Sequence, residues 1–307
     1  MAPATQDLVR PGGIVVGVDG SAGSRTALTW GLREAVSRDL PLSAVLVWEP
    51  SWRDGLSATD TGALAGLVAE RRRAATDLLD AGLVAAGARL GIDVDAIAVE
   101  VQGAPVPTLL SLGEEAAMLV LGRRGLGRLG RTVLGSVSSA VVQHATGPVT
   151  IVRGEPHDEP GEPGERALPR VVVGVDGSST AVTALRHGAE AARRTGSVLV
   201  AVYCWQIVTL APLPDSWGWA PPIDDYERFA ADALDAAIEK AEIDLPPERL
   251  RRSVVHAPPS RGLLAAAEGA ERLVVGNRGL GGFDRLLLGS VSRQAVDHAP
   301  CPVTVVR

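Results

Sequence analysis

One pattern occurs twice in this sequence, and the repeat decides what the chain can fold into. The stretch IVVGVDGS at residues 14–21 returns as VVVGVDGS at residues 171–178. A second stretch, LVLGRRGLGRLGRTVLGSVS at residues 119–138, returns as LVVGNRGLGGFDRLLLGSVS at residues 273–292. The offset is 157 residues for the first pair and 154 for the second, so the later copy carries a net deletion in its middle. A repeat of this length is a domain and not a solenoid unit.

A linker separates the two copies. Residues 154–169, GEPHDEPGEPGERALP, are rich in Gly, Pro and Glu, which is typical of a solvated connection. We therefore predict one domain at residues 10–153 and a second at residues 170–307. A chain of 307 residues is long enough for two domains with cores of their own.

Each copy alternates short apolar runs with longer helical stretches. In the first copy we predict helices at residues 24–39, 64–90, 108–115 and 136–145. We predict strands at residues 14–18, 43–47, 96–101, 118–121 and 149–152. This alternation predicts an α/β fold of two tandem doubly wound, Rossmann-like domains, each a five-stranded parallel sheet with helices on both faces. Ligands of such sheets bind beyond the carboxyl ends of the strands, where the strand order reverses.

The second repeated stretch has the features of a phosphate site. A buried strand ends at Gly122, and a helix begins at Ser136 directly after Gly135. A helix start leaves its first amides unpaired and carries partial positive charge, and glycine lets a ligand approach the backbone closely. The arrangement recurs in the second copy at Gly276, Gly279, Gly289 and Ser290.

Two other phosphate-binding motifs fit less well. The run from Gly125 to Gly130 formally matches the dinucleotide fingerprint, but the second copy breaks the match at Asp284, and the first glycine does not open a helix directly. The GxxxxGK[ST] loop is absent, because the only lysine, Lys240, lies outside any such motif.

Composition excludes several classes of partner. The net charge of −6 and the pI of about 5.5 argue against nucleic-acid binding, which needs a basic face. The two cysteines have neither metal-ligand spacing nor a disulfide framework, so a reduced, cytoplasmic setting is expected. The first residues lack the apolar core of a signal peptide, and no run reaches membrane-spanning length, so we expect no membrane partner.

These motifs resemble those of the universal stress protein family, and specifically of its tandem two-domain members. The shared pattern is G-x2-G-x9-G-[ST], together with a strand ending in Val-Asp-Gly-Ser and a closing H-A-x-x-P-V-T. The resemblance covers nearly the whole chain outside the linker. It implies an ATP-binding regulatory protein of the stress response with one nucleotide per domain, a homodimer of tandem chains and an unknown regulatory protein partner. Mg²⁺ bridged by the phosphates is expected to accompany the ATP.

The resemblance also implies a set of binding residues in each copy. Asp19 and Asp176 would face the adenine and ribose, and the backbone at Val47 and Cys204 would meet the adenine. The strand residues just before the two aspartates belong to the same set: Gly17, Val18, Gly174 and Val175. The first phosphate site would be lined by Gly122, Arg123, Arg124, Gly125, Gly135, Ser136, Val137 and Ser138. The second would be lined by Gly276, Asn277, Gly279, Gly289, Ser290, Val291 and Ser292.

The two copies differ in charge at the phosphate loops. Arg123 is replaced by Asn277, and Gly130 by Asp284. We therefore expect the first site to hold a triphosphate more firmly than the second.

Structural roles compete with binding at several of these positions. The aspartates also fit Asx turns before a helix, and the serines also fit helix N-caps. His144 and His298 fall near helix C-termini, where a cation suits the helix dipole, so we interpret them as structural. Trp217 and Trp219 fit either an adenine or partner contact or incidental packing in a loop.

Catalysis is not the favoured function. Apart from Asp19 and Asp176, no general base, nucleophile or metal cluster is repeated beside the glycines, which argues against efficient turnover. Two alternatives to a regulatory ATP-binding protein stay open. One is slow ATP hydrolysis or phosphoryl transfer, in which Arg123 or Arg124 would stabilise charge. The other is an interaction module that binds no nucleotide.

Overall fold

The computed structural model of the chain describes residues 8–49, 61–91, 95–123, 134–153, 168–206, 223–279 and 288–307. The chain divides into two compact units, Met1–Pro160 and Gly161–Arg307. The division falls inside residues 154–169, where the sequence predicts the linker; most of those residues lie outside the described ranges.

The first unit alternates strands and helices along the described chain. Its strands are β1 (Ile14–Gly17), β2 (Leu42–Trp48), β3 (Ala96–Gln102), β4 (Met118–Gly122) and β5 (Val149–Val152). Its helices are α1 (Ala22–Arg38), α2 (Thr61–Leu90), α3 (Pro105–Gly113) and α4 (Ser136–His144).

The second unit repeats this order. Its strands are β6 (Arg170–Val175), β7 (Val198–Trp205), β8 (Leu250–His256), β9 (Arg272–Gly276) and β10 (Val303–Val306). Its helices are α5 (Ser179–Thr195), α6 (Ile223–Ala241), α7 (Pro259–Ala266) and α8 (Ser290–His298), with a short 3₁₀ helix at Pro247–Arg249.

Both sheets are parallel and doubly wound, as the sequence predicts. The strand order is β3-β2-β1-β4-β5 in the first unit and β8-β7-β6-β9-β10 in the second. In each unit the order reverses beside the first strand, which pairs with the second strand on one side and the fourth on the other. This reversal opens the crevice in which doubly wound sheets bind ligands.

Each unit has its own hydrophobic core. In the first, Ile14 and Val16 of β1 pack with Leu28 of α1 and Leu79 of α2, all essentially buried. Helices α1 and α2 contact each other, and α3 contacts α4. The second unit has the equivalent core between its sheet and helices α5 and α6. Helices therefore cover both sheet faces, which explains why the strands read as continuous apolar runs.

Local capping moves several boundaries away from the predicted ones. Helix α1 begins at Ala22 and not at residue 24, because the Ser21 side chain caps it. Helix α3 begins at Pro105 and not at residue 108, because proline's fixed φ suits the first helical turn. The predicted strand 14–18 ends one residue earlier, at Gly17.

Candidate functional site

The loops that follow β1 and β4 lie side by side at the carboxyl edge of the first sheet. Gly17, the last residue of β1, pairs with Leu121 of β4. Asp19 therefore follows one strand and Gly122 ends its neighbour, as the sequence predicts. The same juxtaposition recurs between β6 and β9 in the second unit. We call residues 122–135 the first glycine loop and residues 276–289 the second.

Asp19 and Asp176 each form an Asx turn. The Oδ1 atom of Asp19 accepts a hydrogen bond from Ser21 N at 3.0 Å, and that of Asp176 accepts one from Ser178 N at 3.0 Å. Glycine follows each aspartate at positive φ, +81° at Gly20. The structural interpretation of the aspartates is therefore present in both domains, and it uses one carboxylate oxygen of each.

The helices after β1 and β6 begin with a side-chain cap. Ser21 Oγ accepts a hydrogen bond from Ser24 N at 3.1 Å, and Ser178 Oγ accepts one from Ala181 N at 3.2 Å. The starts of α1 and α5 therefore satisfy one of their own orphan amides.

The helices after the glycine loops begin without such a cap. Gly135 and Gly289 are the extended N-cap residues of α4 and α8, and no side chain of the described residues caps either helix. The first backbone bond of α4 runs from Ser139 N to Gly135 O at 2.8 Å. Ser136 and Ser290, the first helical residues, are exposed. These are the two helix starts at which the sequence predicts phosphate.

Ser138 and Ser292 have a role that the sequence did not predict. Ser138 is buried, and its hydroxyl donates to Gly122 O at 2.8 Å; the Ser292 hydroxyl donates to Gly276 O at 2.6 Å. Each serine ties its helix to the end of the strand before the glycine loop. Because both hydroxyls donate within the protein, a ligand would meet these two residues through their backbone.

Two backbone hydrogen bonds close the base of each glycine loop. In the first domain, Arg123 N donates to Val152 O at 2.9 Å, and Gly135 N donates to Arg123 O at 2.9 Å. In the second domain, Asn277 makes both corresponding bonds, to Val306 O at 2.7 Å and from Gly289 N at 2.8 Å. The substitution of arginine by asparagine therefore leaves the loop base unchanged. The predicted site residues Arg124 and Gly125 lie outside the described ranges.

Packing within the protein demands glycine at the strand ends. A Cβ added at Gly122 would lie 2.5 Å from the carbonyl carbon of Gly23, in the first turn of α1. One added at Gly276 would lie 2.6 Å from Thr180 Oγ1. A Cβ at Gly17 would collide with the Leu121 side chain. These glycines let helix and strand approach closely, whether or not a ligand is present.

Val18 and Val175 offer a ligand only their backbone. Their side chains are 6% and 5% exposed and belong to the two hydrophobic cores. Gly174, just before Val175, packs beneath Leu263, whose Cδ1 lies 2.9 Å from an added Cβ. Val137 and Val291, in the first turns of α4 and α8, are half-buried.

In the second domain the aspartate meets the glycine loop. A Cβ added at Gly279 would collide with Oδ2 of Asp176, the oxygen not used in its Asx turn. The structure thus brings together the carboxylate and the loop that the sequence assigned to one site.

Val47 and Cys204, the predicted adenine neighbours, occupy equivalent half-buried positions near the ends of β2 and β7. The Cys204 sulfur lies beneath Gly262 of α7, and burial raises the pKa of the thiol to about 11. The thiol is therefore protonated at neutral pH and is not a nucleophile.

A tryptophan ends both of these strands, and the sequence analysis missed it. Trp48 Nε1 donates to Glu100 Oε1, and Arg72 pairs with the other oxygen of Glu100 at 2.9 Å. Trp205 instead stacks on His256, with ring centroids 4.2 Å apart. The signal was available, because the two tryptophans are separated by the same 157 residues as the two aspartates.

Two arginines near the second glycine loop were also missed. Arg278 lies in the loop, and Arg307 directly follows β10, the strand that bonds the loop base. Burial, and then the charge of Arg278, lower the pKa of Arg307. Two neighbouring guanidinium groups attract an anion. The second domain thus has cationic side chains at its loop despite the loss of Arg123.

The two histidines lie at helix C-termini, as their structural interpretation expects. His144 ends α4, where its Nδ1 lies 2.8 Å from Ala140 O, and His298 ends α8. Within the described ranges, no three His, Cys, Asp or Glu side chains form a group that could hold a metal ion. Trp217 and Trp219 lie outside those ranges.

Comparison with known proteins agrees with this duplicated architecture. The model of the universal stress protein family matches residues 13–153 and, a second time, residues 168–307. The chain belongs to the universal stress protein family. A universal stress protein of Mycolicibacterium smegmatis is 34% identical over 309 residues, covering 96% of this chain and 97% of the relative. One from Mycobacterium tuberculosis is 34% identical over 313 residues, covering 96% and 95%.

A solved universal stress protein shares the fold at lower identity. The crystal structure of one from Archaeoglobus fulgidus has a TM-score of 0.67 and 19% identity, and covers 97% of this chain and 99% of that chain. Among the helices in the described part of this universal stress protein, none is long and apolar enough to cross a membrane.

Proposed function

We propose that this universal stress protein is a cytoplasmic regulatory protein of the stress response that binds one adenine nucleotide, as ATP with Mg²⁺, in each domain. The observation that carries the proposal is the pair of uncapped helix starts. Helices α1 and α5 satisfy an amide with a serine N-cap, whereas the N-caps of α4 and α8, beside the strand-order reversal, are glycines. Unsatisfied amides and a positive dipole end favour a phosphate there.

Each domain offers a consistent set of contacts for such a ligand. The amides of residues 136–138 in the first domain and 290–292 in the second would hold the phosphates. In the second domain, Arg278 and Arg307 add positive charge at the same edge. The carboxylates of Asp19 and Asp176, just after β1 and β6, would accept a ribose hydroxyl. Mg²⁺ would neutralise the phosphate oxygens and keep water ligands, since the described residues provide no carboxylate cage for it.

The experiment introduces one negative charge at each helix start. The positive end of the helix dipole stabilises a negative charge in the first turn, so Ser136→Asp and Ser290→Asp should fold normally. The new carboxylates should repel phosphate. We expect each variant to lose about one ATP per chain in a calorimetric titration, and the double variant to lose both. Ser260→Asp, near the start of α7, is the matched control and should leave both sites intact.

Two results would overturn the proposal. One is a wild-type chain that shows no heat of binding and no rise in melting temperature with Mg-ATP. The other is equal ATP binding by the wild type and the double variant. Acid release and chromatography of any nucleotide that co-purifies would identify the bound ligand independently.

We further propose that two tandem chains form a homodimer and that the nucleotide-bound state is read by a protein partner. Sedimentation of the purified chain with and without Mg-ATP tests the first statement, and a purely monomeric species in both conditions contradicts it.

A further inference from the structure

Phe229 is the largest apolar side chain that is mostly exposed in the described part of the chain. It lies on α6, and 70% of its surface is accessible to solvent. The opposite face of the same helix places Ala230, Leu234 and Ala237 in the core of the second unit. A single exposed apolar side chain is ordinary, so the surroundings of Phe229 decide whether it marks a binding surface.

Other aromatic rings lie beside Phe229. Tyr226 precedes it by one turn on the same side of α6 and stacks on Trp205, with ring centroids 6.2 Å apart. Trp205 stacks in turn on His256, which is exposed. The rings extend the surface from the helix to the ends of β7 and β8. Because stacking already orders Tyr226 and Trp205, binding of a partner would cost these side chains little freedom.

Carboxylates border this aromatic surface. Asp225 and Asp232 lie one turn to either side of Phe229, and both are exposed. An exposed ring flanked by negative charge is complementary to a partner that carries lysine or arginine around an apolar side chain.

The nearby cations leave the helix acidic. Arg228 pairs with Asp225 at 3.4 Å, and Arg252 of β8 pairs with Asp235 at 2.6 Å. Helix α6 carries six acidic and two basic side chains, so its charge stays negative even when Arg252 is included.

The first unit lacks the aromatic anchor. The buried Leu79 of α2 corresponds to the buried Leu234 of α6, at an offset of 155 residues. At the same offset, Ala74 stands where the second unit has Phe229. The two helices therefore have similar buried faces, whereas their exposed faces differ.

We propose that the face of α6 around Phe229 is a docking surface for a basic protein partner. An apolar side chain of the partner would cover the Phe229 ring, while lysine or arginine side chains would meet Asp225 and Asp232. The inference deepens the proposed function and rests on it for the existence of a partner. It assigns that partner to the second domain and states its charge.

A defined peptide tests this surface. The probe is a fluorescein-labelled helical peptide of leucine and lysine with the leucines along one face, titrated into the nucleotide-free full chain and followed by anisotropy. Phe229→Ser should weaken binding at least tenfold. Asp225→Asn/Asp232→Asn should weaken it as well and reduce its salt dependence. Val84→Ser removes a side chain of the first domain that is 73% exposed, and this matched control should bind like the wild type. Equal binding by the wild type and Phe229→Ser would overturn the proposal.

Photo-cross-linking from the same position distinguishes other occupants. The purified chain with Phe229→benzoylphenylalanine should give a peptide adduct when irradiated with the probe, and no cross-link when irradiated alone. A product of twice the chain mass would show that a second copy covers the ring, and an internal cross-link would show that the chain covers it itself. Either result would overturn the basic partner. Absence of ATP binding in the wild-type chain would instead refute the proposed nucleotide site, while the peptide titration would still decide the docking surface.

Discussion

At the scale of single residues, the glycines at the strand ends are required by contacts within the protein itself. Gly122 lies against the backbone of Gly23, whereas Gly276 lies against the side chain of Thr180. The sequence alone suggested that these glycines admit a ligand. The structure shows that they first admit a helix, and this distinction decides how a glycine variant must be interpreted.

We predict that Gly122→Ala and Gly276→Ala each destabilise their domain by about 1–3 kcal/mol, because the new methyl overlaps atoms that must shift. Most of the stability lost in Gly276→Ala should be recovered in the double variant Gly276→Ala/Thr180→Gly, because the atoms closest to the new methyl belong to the Thr180 side chain. Urea unfolding of the variants measures both effects. A double variant no more stable than Gly276→Ala alone would contradict this.

The buried thiol of Cys204 leads to a prediction about the stability of the fold at alkaline pH. Burial raises its pKa to about 11 in the folded chain, from 9.0 as the ordinary value, so the folded state holds the proton more tightly than the unfolded state. Stability attributable to this group is complete below pH 9 and falls as the pH rises toward 11. The melting temperature of Cys204→Ala should therefore fall less between pH 8.5 and about 10.5 than that of the wild type. Parallel curves would contradict the prediction.

At the scale of elements, a buried hydroxyl joins each glycine-loop helix to the preceding strand. Ser138 and Ser292 form the same bond in the two domains, at 2.8 and 2.6 Å. This bond fixes the helix start relative to the strand end, and so places the uncapped amides at the edge of the sheet.

We predict that Ser138→Ala lowers the stability of the first domain by about 1 kcal/mol more than Ser139→Ala does. Both changes gain the same helix propensity, but only the first removes a buried hydrogen bond. Ser139 is half-buried and accepts a hydrogen bond from Gln143. Denaturant titration of the pair gives the difference directly, and equal stabilities would show that the Ser138 bond contributes nothing.

The sequence predicts the helices and strands well and the contacts between distant residues poorly, for a physical reason. Apolar runs and helical spacing report burial, so all five strands and four helices of the first domain were anticipated, with ends displaced where Ser21 and Pro105 start a helix earlier. The buried hydroxyl of Ser138 and the approach of Arg307 to Arg278 depend on residues far apart in the chain. No local pattern encodes them, although the repeated Trp48 and Trp205 could have been found by alignment of the two copies.

At the scale of the whole molecule, the chain consists of two units that each bury a core of their own. The apolar clusters around Ile14 and Val171 share no residue. Duplication with later divergence explains why the backbone bonds of the two glycine loops coincide while Gly23 and Thr180 differ.

We predict that residues 8–153 and 168–307, expressed separately, each fold cooperatively, since each range contains a complete five-stranded sheet with its helices. Circular dichroism with thermal unfolding checks this. Under the proposed function, each fragment should also bind one ATP. A fragment with helical signal but no cooperative transition would contradict the prediction.

Under the proposed function, the stacking of Trp205 on His256, at the end of the strand that carries Cys204, would give the second domain an optical probe of nucleotide binding. An indole held against an imidazole emits differently from Trp48, whose ring nitrogen is engaged by a carboxylate. Adenine arriving beside Cys204 would perturb the stacked indole. Tryptophan emission would then report nucleotide binding by the second domain in real time, without a label.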